Sequence, residues 1–171
     1  MATTYTLISS NVLSGSAASV TFSSIPSTYT DLVLRISARN DASFYVSSAV
    51  IKVNAITGTY SFTTLYGTGS AAASSADSGS YQGFYLSSVN GNTATSNSFS
   101  SHEIYLPNYA GSTNKIASLD NANETNATAA YRVVNAGLLS NTAAVTSLTI
   151  TSNSANFLTG SSFYLYGIKN S

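Results

Sequence analysis

The stretch Asp31-Leu32-Val33-Leu34-Arg35-Ile36-Ser37-Ala38-Arg39 alternates apolar with polar residues at a spacing of two, the period that sends neighbouring side chains to opposite faces of a pleated strand. It predicts Leu32, Leu34 and Ile36 inward and Arg35, Ser37 and Arg39 outward, with Val33 a partly covered exception. The same pattern, less regular, predicts strands at Ala143 to Thr151 and at Ser161 to Lys169, where Phe163, Leu165 and Gly167 oppose Tyr164, Tyr166 and Ile168. Further strands are predicted at Tyr5 to Ser9, Ser19 to Phe22, Val46 to Val53, Tyr60 to Tyr66, Tyr81 to Val89, Ser98 to Leu106, Lys115 to Leu119 and Ala129 to Leu138. Val, Ile, Thr, Tyr and Phe dominate all of these segments, as a half-buried pleated surface requires. A helix competes only at Ala127 to Leu139, where Thr128, Tyr131, Val133 and Val134 favour a strand.

Turn residues fall between these segments. Pro26 in Ile25-Pro26-Ser27 fixes φ and removes a donor, which marks a corner. Asn90-Gly91 has the residue types of a type I′ hairpin turn. Gly67 to Ser80 is a low-complexity run of Gly, Ser and Ala and predicts a mobile loop that orders against a partner. Many short strands with almost no helix predict a single all-β domain over residues 1–171, an antiparallel two-sheet sandwich with jelly roll as the preferred topology.

The chemistry available to such a fold is narrow. Six Lys+Arg, six Asp+Glu, one His and no Cys stand among 171 residues, while Ser, Thr and Asn make up about two-fifths of the chain. No thiolate can serve as nucleophile or metal ligand, and no disulfide framework is possible. A formal charge of zero lacks the basic footprint that phosphate backbones need, so nucleic acid is not an expected partner. No apolar run reaches the length of a membrane span, and the first residues lack the basic and apolar regions of a secretory leader, so no membrane partner is expected. Low charge density gives a free monomer poor colloidal protection, which points to an assembled working state.

The candidate chemical groups read mostly as structural. His102 and Glu103 are adjacent in sequence, so on a strand they point to opposite faces and cannot act as an acid-base couple. No Gly-x-Ser-x-Gly elbow presents a serine to His102. The carboxylates Asp31, Asp41, Asp77, Glu103, Asp120 and Glu124 could hydrolyse glycosides only if two of them flank one bond, and they read as turn and rim residues. Asp120 to Asn126 is oxygen-rich, but Ala122 at its third position and the lack of a Gly at its sixth break the calcium-loop pattern, leaving a solvated loop. Asn123-Glu124-Thr125 and Asn126-Ala127-Thr128 match the glycosylation pattern by coincidence. Neither a catalytic residue, a metal site nor a cofactor is expected. Tyrosine is the better candidate for contact, being large, rigid and polar at its tip. Alternation places Tyr105, Tyr109, Tyr164 and Tyr166 on an outward face as interface residues.

Four stretches carry a likeness to known proteins: Met1 to Ser10, Val20 to Arg35, Gly91 to Asn97 leading into Ile104 to Tyr109, and the ending Ser161-Ser162-Phe163-Tyr164-Leu165-Tyr166-Gly167-Ile168-Lys169. In these the chain resembles small structural proteins of tailed bacteriophages, especially those of cyanobacteria and marine bacteria. It departs from them at Asn54-Ala55-Ile56, where such proteins are more polar and carry Gly or Asp after the Asn. The resemblance implies a jelly-roll virion component, made in the host cytoplasm and used on the capsid exterior. Its expected role is that of a decoration or cement protein, a homotrimer bound non-covalently to the major capsid protein. The alternative is a tail-associated receptor-binding or carbohydrate-binding module, with a host glycan as partner.

Overall fold

The β-branched and aromatic runs pair into antiparallel ladders, and the strands stack into two layers. The computed structural model describes residues 4–125 and 130–169, and in them the chain forms twelve strands and no helix. They are β1 (Tyr5–Val12), β2 (Ser19–Phe22), β3 (Asp31–Ala38), β4 (Val46–Val53), β5 (Tyr60–Gly67), β6 (Ala72–Tyr81), β7 (Phe84–Asn90), β8 (Ser100–Leu106), β9 (Lys115–Asn123), β10 (Tyr131–Leu139), β11 (Leu148–Ser152) and β12 (Ser162–Ile168). An eight-stranded antiparallel sheet, ordered β1-β12-β3-β8-β9-β10-β5-β6, faces a four-stranded one ordered β2-β11-β4-β7. This is the antiparallel two-sheet sandwich that the alternation predicts. The chain changes sheet at every connection except the hairpins β5–β6, β8–β9 and β9–β10.

The core lies where the layers overlap. Leu32, Leu34 and Ile36 of β3, Ile104 and Leu106 of β8, Leu119 of β9 and Phe163 and Leu165 of β12 meet Phe22, Ile51, Phe84, Leu86, Leu148 and Ile150 of the smaller sheet. Each such side chain contributes about 1.5–3 kcal/mol by leaving water. The edge strands β1 and β6 lie beyond this overlap, and almost all their described side chains are exposed.

Several expectations are corrected. Gly67 to Ser80 is no loop: only the residues around a turn at Thr68 to Ala71 leave the sheet, with Thr68 N donating to Ala71 O at 2.9 Å, and the rest forms β6 along β5. Its Ser and Ala residues favour a strand weakly; the strong strand former β5 supplies the ladder that orders them. Asn90-Gly91 makes no hairpin, because β7 and β8 lie in different sheets and neither residue has positive φ. Gly91 serves instead as a close approach, since a Cβ there would sit 2.0 Å from Phe44 O. Arg39 is buried, not outward, because β3 ends at Ala38 and the next residue turns beneath the loop that follows β7. Asp120 to Asn123 belongs to β9 rather than to a solvated loop, with Asn121 and Asn123 facing inward. The second glycosylation pattern, Asn126 to Thr128, lies outside the described residues.

The pair Asn54-Ala55 has a local consequence. Both residues take positive φ, 50° and 58°, and Ile56 N donates to Val53 O at 2.8 Å, which is a type I′ turn. Asn54 suits it, its Oδ1 accepting from Thr146 N at 2.8 Å and Ser147 N at 3.0 Å. Ala55 carries a Cβ penalty that glycine lacks. Ala55→Gly should therefore stabilise the fold by about 0.5–1 kcal/mol, after the entropy that glycine adds to the unfolded chain is subtracted; chemical denaturation would measure it, and an unchanged or lower midpoint would contradict the strain.

Candidate functional site

Antiparallel register determines which side chains meet on the outer face of the large sheet. Leu7, Tyr166, Val33 and Tyr105 form one cross-strand row, and Tyr164, Arg35, Glu103, Asp120, Val134 and Leu65 form the next. Three of the four tyrosines singled out by alternation therefore share a face. Tyr105 is further fixed by donating its hydroxyl to Asp31 Oδ2 at 2.8 Å, a bond that raises its pKa, with burial and the Asp31 charge adding to it. Tyr5 packs edge-on against Tyr166 at 6.4 Å. Tyr109 does not belong there: it is 0% exposed and donates its hydroxyl to Pro26 O. It follows the strand rather than lying within it, so alternation no longer governs its direction.

The centre of this face carries the only two salt bridges among the described residues. Arg35 meets Glu103 at 2.7 Å, and Arg132 forks onto both oxygens of Asp120. Glu103 and Asp120 are register partners, so two carboxylates do stand side by side, each neutralised by its own arginine on an open surface. Around them lie exposed apolar side chains: Leu65 at 56%, Ile116 at 56%, Leu7 at 50% and Val134 at 42%.

A second feature opens on the inner side, where the large sheet extends past the edge strand β7 of the small one. A groove of about 760 Å³ runs between them. Phe62, Thr64 and Tyr66 of β5, Ser75 and Tyr81 of β6 and Tyr131 and Val133 of β10 line it from the large sheet, and Tyr85, Ser87 and Ser88 of β7 with Val46, Ser47 and Ser48 of β4 line it from the small one. The rings of Phe62, Tyr81 and Tyr85 form a mutual cluster, with centroids 4.6 to 5.7 Å apart. At the other end a hydrogen bond between Tyr131 and Tyr45, reinforced by burial and by nearby Tyr66, raises the pKa of Tyr131. Both flanking strands are irregular here. β7 carries a bulge opposite Ser48, with Ser88 at φ 64°, and the β5–β6 register shifts between Tyr60 and Ser61. Bulges of this kind re-aim side chains at functional positions.

Compared with protein-family models, curated proteins and solved structures, the chain finds no match in any of the three. The site must be read from its own residues.

Beneath β7 the core turns polar. His102 is 2% exposed, its ring nitrogens 2.9 Å from Asn121 Oδ1 and 2.7 Å from Ser100 Oγ. Glu103 points the other way, as strand alternation requires. Asn121 reaches Ser87 Oγ at 3.4 Å, while Asn123, its side chain bonded to Asn90, offers no free amide for glycosylation. Two of the six cations are likewise turned inward. Arg39 donates to the carbonyls of Asn92, Ala94, Thr95 and Ser98 at 2.7 to 3.2 Å. Lys115 Nζ donates to the carbonyls of Gly111, Thr113 and Thr142, and burial lowers its pKa. Among the described residues no three His, Asp or Glu side chains gather as metal ligands.

Sequence reasoning missed the groove. The signal was present as aromatic residues recurring on the inward parity of Tyr60 to Tyr66, but recognising it requires knowing that β7 covers only the Tyr60 end of β5 and leaves the rest open.

Burial without a compensating carboxylate lowers the pKa of His102 from 6.5 to about 4. The unfolded chain therefore binds a proton first as pH falls, so the stability held above pH 6.5 should decline between about pH 6.5 and 4 and not further from this group. The loss is on the order of 3 kcal/mol. His102→Gln should flatten that segment of a stability-versus-pH curve; an equally steep curve in the variant would place the titration elsewhere.

Proposed function

We propose that the protein is a virion component of a tailed bacteriophage, a decoration or cement module that holds to the capsid exterior through the outer face of its eight-stranded sheet. The observation that carries this reading is that face itself: a broad surface on which Leu7, Leu65, Ile116 and Val134 are exposed and Tyr105, Tyr164 and Tyr166 half-buried around a neutralised charge ladder. Exposed apolar side chains collected on one face mark an interaction site. The strand order supports a jelly roll. In that reading β2-β11-β4-β7 is one four-stranded layer and β1-β12-β3-β8 the other, with β9-β10 and then β5-β6 extending the second layer beyond the first.

The mechanism is linkage rather than chemistry. A module that binds only the assembled lattice of major capsid protein stabilises it by RT ln(1 + [L]/Kd), about 2.7 kcal/mol per site at a hundredfold excess over Kd. A homotrimer multiplies this, because the first contact raises the effective concentration of the rest. Contacts built on tyrosine and leucine area persist in salt, while the two exposed ion pairs contribute only about 0–1 kcal/mol each.

The experiment is sedimentation of the purified chain alone and with expanded, emptied heads of the parent phage. The wild type should sediment as a trimer at micromolar concentration and pellet with heads at high salt. Leu65→Asp combined with Val134→Asp should abolish both while the melting temperature stays within a few degrees, since exposed positions contribute little to folding. A wild-type chain that remains monomeric and stays in the supernatant would sink the reading.

A further inference from the structure

The groove between β7 and the overhanging β10-β5-β6 surface is distinct from the face assigned to capsid contact, and its lining has a definite chemical character. Its aromatic members, Phe62, Tyr66, Tyr81, Tyr85 and Tyr131, offer π faces and phenol hydroxyls. Its polar members are hydroxyls from Ser47, Ser48, Thr64, Thr68, Ser75, Ser87 and Ser88 and the amide of Asn153. No Asp, Glu, Lys, Arg or His lines it. Such a lining cannot neutralise a phosphate, sulfate or carboxylate, and it is too rich in hydroxyls to favour a purely apolar guest.

A second observation points to an occupant. Thr64 is 7% exposed, yet its Oγ1 makes no hydrogen bond, and neither does Oδ1 of Asn135, its register partner on β10. Buried polar atoms are rarely left unpaired. Of the two, Thr64 lines the groove, which is flanked by two bulged strands, and Asn135 lies beside it on β10 with its amide nitrogen on Tyr85 O, whereas Asn123 Oδ1 is the one other such side-chain atom among the described residues.

We propose that this groove binds a neutral oligosaccharide. Pyranose C–H faces, polarised positively, stack on the negative faces of the tyrosine rings. Ring hydroxyls, each both donor and acceptor, exchange hydrogen bonds with the serines, with Asn153 and, at the floor, with Thr64. A neutral lining then sets the specificity, because uronic or sialic acid residues would bring a carboxylate into a site with no cation to meet it.

The test is calorimetric titration of the full chain with neutral probes, namely cellohexaose, maltohexaose, xylohexaose and mannohexaose, and with two acidic ones, hexagalacturonate and a sialylated oligosaccharide. At least one neutral probe should bind with an affinity unchanged between low and high salt, and the acidic probes should bind at least about tenfold more weakly. Tyr66→Ala and Tyr131→Ala should each weaken binding about tenfold or more. Ser75→Leu, an exposed position of β6 that adds bulk to the groove, keeps the proposal falsifiable if the tyrosine variants fold poorly, and it should block binding. Tyr164→Ala, on the opposite face of the sheet, should leave binding unchanged. Failure of all four neutral probes, preference for the acidic ones, undiminished binding in Ser75→Leu, or a change of oligomeric state in that variant without loss of saccharide binding would each overturn the assignment. Head binding is scored separately, so the capsid role and the saccharide site stand or fall independently.

Discussion

Stacked sheets exclude water only where both layers are present, and here four strands face eight. The mismatch organises the molecule. Over the centre of the overlap, inward positions such as Leu32, Leu34 and Ile36 of β3, Ile104 and Leu106 of β8, Leu119 of β9 and Phe163 and Leu165 of β12 are Leu, Ile and Phe. Towards the edge of β7 the inward parity on β9 and β10 changes to Asn121, Asn123 and Asn135, which bond to Ser87, Asn90 and Tyr85 of β7, and in the groove beside it Thr64 takes the inward position on β5. The tyrosine-rich groove is thus a consequence of one layer being too narrow for the other, while the polar interior around His102 lies covered beneath β7.

Arg39 and Lys115 show how a chain with so few charges uses them. Each is buried on backbone carbonyls and holds a connection that would otherwise leave carbonyls unpaired. Arg39 ties the segment between β7 and β8, where Gly91 allows the backbone to approach Phe44. Lys115 ties the segment that leads from Tyr109 into β9. The surface is left still poorer in charge. Its two salt bridges sit on the outer face, where Arg35 and Arg132 neutralise neighbouring carboxylates.

Strand positions were legible because period-2 alternation is local. Val46–Val53 and Ser19–Phe22 match their expected bounds, and the inward set of Asp31–Ala38 is as alternation requires. Where local signals mislead, a neighbour decides. β6 is composed mainly of Ser and Ala and carries no alternating pattern of its own; it is a strand because β5 offers it a ladder. Asn90-Gly91 has the chemistry of a hairpin turn, but the next strand pairs in the other sheet. Tyr109 lies just past the end of β8, where the alternation that placed Tyr105 outward has stopped.

Alternation and composition alone determined the layer architecture, the inward residues of the long strands and the scarcity of ionisable side chains, since each depends only on residue type and spacing of two. The tertiary structure decided which strands are neighbours, that one sheet is twice the width of the other, and that Tyr66, Tyr81, Tyr85 and Tyr131, drawn from four strands, line one groove. Pairing between strands far apart in the chain is set by how the whole set of apolar faces is buried together, and no single segment contains that information.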